Sequence, residues 1–300
     1  MIGDPAGSPE VVAIGGGHGL ASTLVAARRY AGRLTAVVSV ADDGGSSGRL
    51  REIAGIPAPG DLRRCLVAMA ATGSPWAPAF EYRFPVGSGD LAGHALGNLI
   101  IAGLANVTGD FGEALDRAAE LLGTVGRVLP ATSVPAVLRA EVAGREVVGQ
   151  VNVSEAMGPI TMVSITPADA PVPDEVVAAI RSADQVVLGP GSLFTSVLAA
   201  CVVPGVTQAL AATRAQRLYV ANLHPQVPET EGFSLADHVE ALERHGVVPD
   251  AVLVDGRGPF AGQGCARPVV RADLADDRGL VHDVQKLASA VANLVGGRAA

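Results

Sequence analysis

The sequence predicts an α/β fold, a Rossmann-like parallel sheet with helices on both faces and one small antiparallel excursion. Three observations carry this. Short apolar runs that break on glycine alternate with longer segments of helical periodicity through most of the 300 residues. The chain opens as strand, glycine loop, helix and strand, the unit that builds a parallel sheet. The alternation lapses only between residues 137 and 166, where the pattern changes to period two.

Each element follows from local chemistry. "VVAIGGGHG" (11–19) reads as a buried strand breaking on glycines, "LASTLVAARRYA" as a helix starting near Leu20, and "RLTAVVSV" (33–40) as a second strand. "PGDLRRCLVAMAAT" and "GHALGNLIIAGLANVTGDFGEALDRAAELLG" carry helical periodicity, with Asp61 placed to cap the first. "VLRAEVAG", "REVVGQVNVSE" and "ITMVSITP" form the antiparallel excursion, turning at Gly144. The α/β rhythm then resumes through "DEVVAAIRSA", "DQVVLGPGS", "LFTSVLAACV", "RLYVANL", "SLADHVEALERHG", "DAVLVDGR" and "DVQKLASAVANLV". With no repeat and no linker-like shift in composition, residues 1–300 read as one domain, with an ordered core of about 11–295 and a β-rich insertion near 137–166.

Composition narrows the function. A net charge of −8 without any lysine-arginine cluster disfavours nucleic acid, whose affinity comes from neutralising many phosphates. Glycine loops and helix N-termini still offer N–H groups to a small anion. Cys65, Cys201 and Cys265 lack C-x-x-C spacing, so they read as reduced residues outside any disulfide or zinc framework. Neither a leader nor a membrane span is expected, which places the chain in the cytoplasm.

Ligands of open parallel sheets bind beyond the strand C-termini, where strand order reverses. Four loops converge on that rim: "GGGHG" (15–19), "ADDGGSSG" (41–48), "GPGSLFTS" (189–196) and "NLHPQVPET" (222–230). Gly15, Gly16, Gly17 and Gly19 let a phosphate approach backbone amides around His18, or simply make a tight turn. G-x-G-x-x-G is absent because Leu20 and Ser22 stand at the third-glycine positions, which disfavours an NAD-dependent oxidoreductase. Gly189 and Gly191 shape the second turn, where Ser192, Thr195 and Ser196 add hydroxyls, and Ser192 is expected to cap the following helix. Of Asp42 and Asp43, one is expected to face a hydroxyl or a divalent cation and the other to brace the loop, since adjacent carboxylates on an extended chain point apart. His94 and Asn98 fall one helical turn apart and can face one site. His224 lies in the fourth loop, whereas His238, His245 and His282 read as surface or helix-end residues, and no zinc spacing occurs.

In order, "AIGGGHGLAS", "VSVADDGGSSGRLR", "PGDLRRCL", "GHALGNLIIAGL", "GDFGEAL", "LGPGSLFTSVL" and the N-L, Q and E-T of residues 222–230 resemble the motif series of the gluconeogenesis factor family, YvcK-like proteins of the CofD superfamily, across roughly residues 11–290. The resemblance implies a CofD-like fold and a cytoplasmic regulator that binds a nucleotide sugar such as UDP-N-acetylglucosamine. It also implies links to gluconeogenic growth, cell shape and peptidoglycan synthesis through an unidentified protein partner. No catalytic residue is nominated. On this reading Gly16, Gly17, Gly191 and Ser192 cradle a diphosphate, Asp42 and Asn98 engage ribose or sugar hydroxyls, and Ser46, His94 and Asn222 complete the wall, with Ser47 and Asp43 beside them. The superfamily's other branch, 2-phospho-L-lactate transferase, uses magnesium, for which Asp42 or Asp61 would serve here. Departures from the family pattern are His18 for threonine, Pro225 and Pro228 in the fourth loop, and Val281 where an arginine is common. Phe260 is the remaining candidate to stack on a base. "LGNLIIAGLANV" is expected in the core, with a homodimer seal as the alternative.

Overall fold

The computed structural model describes residues 7–295. Strands β1 (Glu10–Gly15), β2 (Arg33–Val38) and β3 (Arg127–Pro130) are followed by β4 (Val137–Val142), β5 (Arg145–Val148) and β6 (Ile160–Thr166), then by β7 (Gln185–Leu188), β8 (Gln216–Val220), β9 (Ala251–Asp255) and β10 (Val269–Ala272). Seven of them form one parallel sheet in the order β10-β9-β8-β7-β1-β2-β3. The chain builds outward from β1 to β3 on one side and from β7 to β10 on the other. Strand order therefore reverses between β1 and β7, which pair directly, Ala13 opposite Val187.

The strands read as continuous apolar runs because both faces are covered. Val11 and Ala13 enter the core on one face with Leu20, Leu24, Leu62, Leu66 and Leu287. Val12 and Ile14 enter the other with Val176, Ile180, Leu235, Val239 and Leu242. Each fully buried Val, Leu or Ile side chain stabilises the fold by about 1.5–3 kcal/mol.

Helix α1 (Gly17–Ala27) follows β1. It begins three residues before the expected start, so His18 and Gly19 lie in its first turn. After β2 come α2 (Gly45–Ala54), α3 (Gly60–Ala68), α4 (Trp76–Glu81), α5 (Leu96–Thr108) and α6 (Phe111–Leu122). The long 93–123 segment divides because Gly109 adopts a left-handed φ of 72° and Asp110 caps α6 through the Glu113 amide. In the excursion β4 pairs antiparallel with both β5 and β6, and its hairpin turns on Ala143 and Gly144 at φ 49° and 75°. "QVNVSE", expected to extend, forms α7 (Gln150–Glu155). The small sheet shares one apolar cluster with the main sheet, through Leu138, Val153, Val163 and Ile165.

Helix α8 (Asp174–Ser182) precedes β7. After β7 a π-helical turn, Leu193–Leu198, runs into α9 (Ala199–Cys201), then α10 (Pro204–Ala212), α11 (Leu235–Arg244) and α12 (Val284–Ala292). Cys65 and Cys201 are buried and free. No single described helix is long and apolar enough to cross a membrane.

Candidate functional site

The reversal between β1 and β7 sets two glycine turns side by side. Their approach depends on the missing side chain of Gly19, because a Cβ there would fall on the Pro190 carbonyl. Thr23 ties the turns together by donating its hydroxyl to the Gly189 carbonyl at 2.8 Å. Beyond them opens a cleft of about 340 Å³, lined among others by His18, Gly19, Gly191, Asn222, His224 and His282.

Neither turn presents all its amides to that cleft. Gly16 is the N-cap of α1 and has no side chain to cap it. Asp61 of α3 does so instead, its Oδ2 accepting the Gly17 N–H at 2.8 Å and its Oδ1 the Arg64 guanidinium at 2.5 Å. The expected cap on α3 is corrected accordingly: Pro59 holds the N-cap position and the Asp61 carboxylate serves α1. Burial pushes the Asp61 carboxyl above its ordinary value against the pull of Arg64, and the nearby Asp42 charge adds to the rise. Among the described residues no side chain accepts the remaining first-turn amides, those of His18 and Gly19.

The second turn repeats the device. Ser192 is the N-cap residue of the 193–198 turn but caps nothing with its hydroxyl. Glu229 caps it from the fourth loop: Oε1 accepts the Phe194 amide at 2.7 Å and the Thr195 amide at 3.4 Å, and Oε2 accepts the Thr195 hydroxyl at 2.7 Å. Burial raises the Glu229 carboxyl, opposed by these three donors. Asn222 locks Gly191 on both sides, accepting its N–H and donating to its carbonyl, each at 2.9 Å. Ser196 packs beside Gly16.

Asp42 and Asp43 point to different partners, both of them backbone amides. Asp43 accepts the Gln150 and Val151 amides at 3.0 and 2.9 Å and so caps α7 of the insertion. Asp42 closes an Asx turn on the Gly44 amide at 2.9 Å through Oδ1. Its Oδ2 lies toward Gly60, where Ser47 also packs so closely that a Cβ on Gly60 would strike its hydroxyl.

Ser46, His94 and Asn98 come together in a buried chain that continues to Arg63, each of the four no more than 5% exposed. Arg63 Nε donates to Asn98 Oδ1 at 3.0 Å, Asn98 Nδ2 donates to Ser46 Oγ at 3.0 Å, and Ser46 Oγ lies 3.0 Å from His94 Nδ1. Arginine has only donors, so the Asn98 amide oxygen faces Arg63 and its Nδ2 faces Ser46. Burial lowers the His94 pKa, helped by the Arg49 and Arg83 charges. Arg63 ends the chain on Glu81 at 2.6 Å.

Three expectations are corrected. His238 is fully buried rather than at the surface, and His282 lines the cleft, where burial lowers its pKa to about 4 against the Asp255 charge. Phe260 is 2% exposed and packs edge-on against His238, so it offers no face to a base. Sequence reasoning missed Glu229, Arg63 and Arg64. A charge inside the apolar stripe of "DLRRCLV" is the signal that marks Arg63, whereas Glu229 is marked only by its place in the E-T of the fourth loop.

Metal donors are sparse. Among the described residues no group of three or more His, Cys, Asp or Glu is placed to hold an ion. Both Asp61 oxygens are engaged, which leaves Asp42 Oδ2 as the free carboxylate oxygen of the pair. That falls short of a resident magnesium site.

The profile of the 2-phospho-L-lactate transferase CofD family matches residues 11–289. A putative gluconeogenesis factor of Mycobacterium leprae is 45% identical over 84% of this chain and 73% of its own length. The gluconeogenesis factor of Halalkalibacterium halodurans is 42% identical over 82% of this chain and 77% of its own. The crystal structure of a UPF0052 family member from Bacillus halodurans superposes with a TM-score of 0.87 at 35% identity, covering 94% of this chain and 97% of that one. With the sheet order, the paired glycine turns and these likenesses in agreement, the chain belongs to the gluconeogenesis factor family and carries a CofD-like fold.

Proposed function

We propose that this chain binds a nucleotide sugar of the UDP-N-acetylglucosamine kind and acts as a cytoplasmic regulator tied to gluconeogenic growth, cell shape and peptidoglycan synthesis. The observation that carries the reading is the cleft at the β1–β7 reversal, lined by His18 and Gly19 from the first turn of α1 together with Gly191 and Asn222. The diphosphate sits at the start of α1, and the sugar runs toward the wall of Asp42, Ser47 and Asn98. Ligand occupancy is passed to a protein partner through the fourth loop, whose Glu229 and Asn222 hold the second glycine turn. Isothermal titration against UDP-sugars, GDP and NAD tests this. Heat with a UDP-sugar is expected, and tight GDP binding without any UDP-sugar response overturns it.

One observation favours a second reading: the matching profile is that of a phosphoryl-group transferase family. The Asp42 Oδ2 oxygen would then meet a magnesium ion brought by the substrate's own phosphates. Incubation with guanosine phospholactate and a deazaflavin acceptor decides, since product formation is required by this reading and by no other.

A further inference from the structure

The seven-strand sheet ends on β3, and the outer edge of that strand is open. The Ala131 N–H donates to the Val38 carbonyl at 2.8 Å, and backbone groups in a parallel ladder alternate sides, so Arg127, Leu129 and Ala131 turn theirs toward β2. Val128 and Pro130 turn theirs outward. Among the described residues nothing accepts the Val128 N–H and nothing donates to the Val128 or Pro130 carbonyl, although Val128 is only 5% exposed. The outer edge of β6 is closed instead by side chains: His245 Nε2 accepts the Val163 N–H at 2.9 Å, and Arg244 donates to the Thr161 carbonyl at 3.1 Å.

This edge borders a groove of about 470 Å³, bounded by α6 from one face of the sheet and by the start of α8 from the other. Phe111 and Leu115 of α6, with Pro173, give it apolar walls. Asp110, Glu113, Asp116 and Glu175 also line it, against a single base, Arg127. Glu113 pairs with Arg117, whereas Asp116 and Glu175 pair with no base among the described residues. Spare strand groups in an apolar groove suit an extended peptide, whose backbone supplies the missing donors and acceptor as one more strand. Carboxylates in excess select a basic one. The same charges oppose the pairing of two β3 edges from two copies of this chain, and Pro130 has no N–H to contribute.

We propose that the β3 edge takes an extended, basic segment of a partner protein. Its backbone bonds to Val128 and Pro130, and its lysine or arginine side chains meet Asp116 on one wall and Glu175 on the other. Neighbouring residues of a strand point to opposite faces, so an apolar pair flanked by basic pairs serves both walls. The proposal goes beyond the nucleotide reading and does not rest on it, since the groove shares no lining residue with the β1–β7 cleft.

The probe is a synthetic hexapeptide, two lysines, two valines and two lysines with blocked ends, titrated by fluorescence polarisation while NMR follows exchange of the Val128 amide hydrogen. Saturable binding that slows this exchange and weakens with salt is expected, and the same peptide with glutamate for lysine should not bind. D116N/E175Q, which changes two exposed side chains, is expected to weaken binding about fivefold. N-methylation of both valines, which removes backbone donors and no charge, should weaken it about threefold to tenfold. No saturable binding up to millimolar peptide, an unchanged Val128 exchange, or equal binding of the glutamate peptide overturns the proposal. Exchange at Val128 that slows with chain concentration alone assigns the edge to a second copy and overturns it as well. Failure of UDP-sugars to bind would refute the nucleotide reading and leave this groove standing.

Discussion

The Asp61 carboxylate accepts the Gly17 amide at 2.8 Å, so a side chain of α3 occupies the anion position at the start of α1. Removing it should be costly on two counts, because Gly17 loses its acceptor and Arg64 its counter-ion. D61A is expected to destabilise the fold by about 2 kcal/mol, within the range for a hydrogen bond to a charged group. D61N, which keeps one acceptor oxygen, should lose less. Urea denaturation of the two variants checks this, and equal losses would show that the amide bond contributes nothing.

Glu229 makes stability depend on pH. Burial raises its carboxyl in the folded chain, so the folded state holds that proton more tightly than the unfolded state. The contribution is full below the unfolded pKa and is lost as pH rises through the folded value. E229Q keeps an oxygen for the Phe194 and Thr195 amides and cannot ionise. Its stability relative to the parent chain should therefore improve as pH rises from the acid range toward neutrality. A pH-independent difference in thermal unfolding would contradict the assignment.

Gly19 and Gly103 should respond to alanine with opposite signs. A Cβ on Gly19 meets the backbone of Pro190, which cannot swing aside, so G19A is expected to cost about 1–3 kcal/mol despite alanine's better helix propensity. Gly103 of α5 has open space around it, and G103A should stabilise by about 0.5–1 kcal/mol. Midpoints of thermal unfolding give both signs directly.

Ser46 joins two side chains of the buried chain. Its Oγ accepts from Asn98 Nδ2 at 3.0 Å and lies 3.0 Å from His94 Nδ1, so S46A removes a partner from each and is expected to destabilise by about 1–3 kcal/mol. Urea denaturation checks this, and an unchanged midpoint would show that the two bonds contribute nothing.

Asp43 pins the insertion to the main sheet. D43A withdraws the acceptor of two α7 amides, and the loss should be local: faster hydrogen exchange across residues 150–155, with about 1–2 kcal/mol of stability as for a lost cap. Uniform acceleration over the whole chain would instead make Asp43 part of the global core.

The sequence by itself determined the layered α/β fold, because strand and helix periods are local and glycine marks where each strand must turn. The excursion at 137–166 was legible for the same reason, although "QVNVSE" was misread, since its helix forms against Asp43 rather than from its own weak pattern. That His94 and Asn98 face the same side was legible from their spacing, but Ser46 arrives from α2 and Arg63, which holds the Asn98 amide, from α3. Only the tertiary structure decided which acceptors serve the helix starts. Asp61, Asp43 and Glu229 cap segments 44, 107 and 35 residues away. A chain shows locally which amides a helix leaves unpaired. Which distant carboxylate meets them depends on strand order, because β1 and β7 become neighbours only when the sheet is assembled.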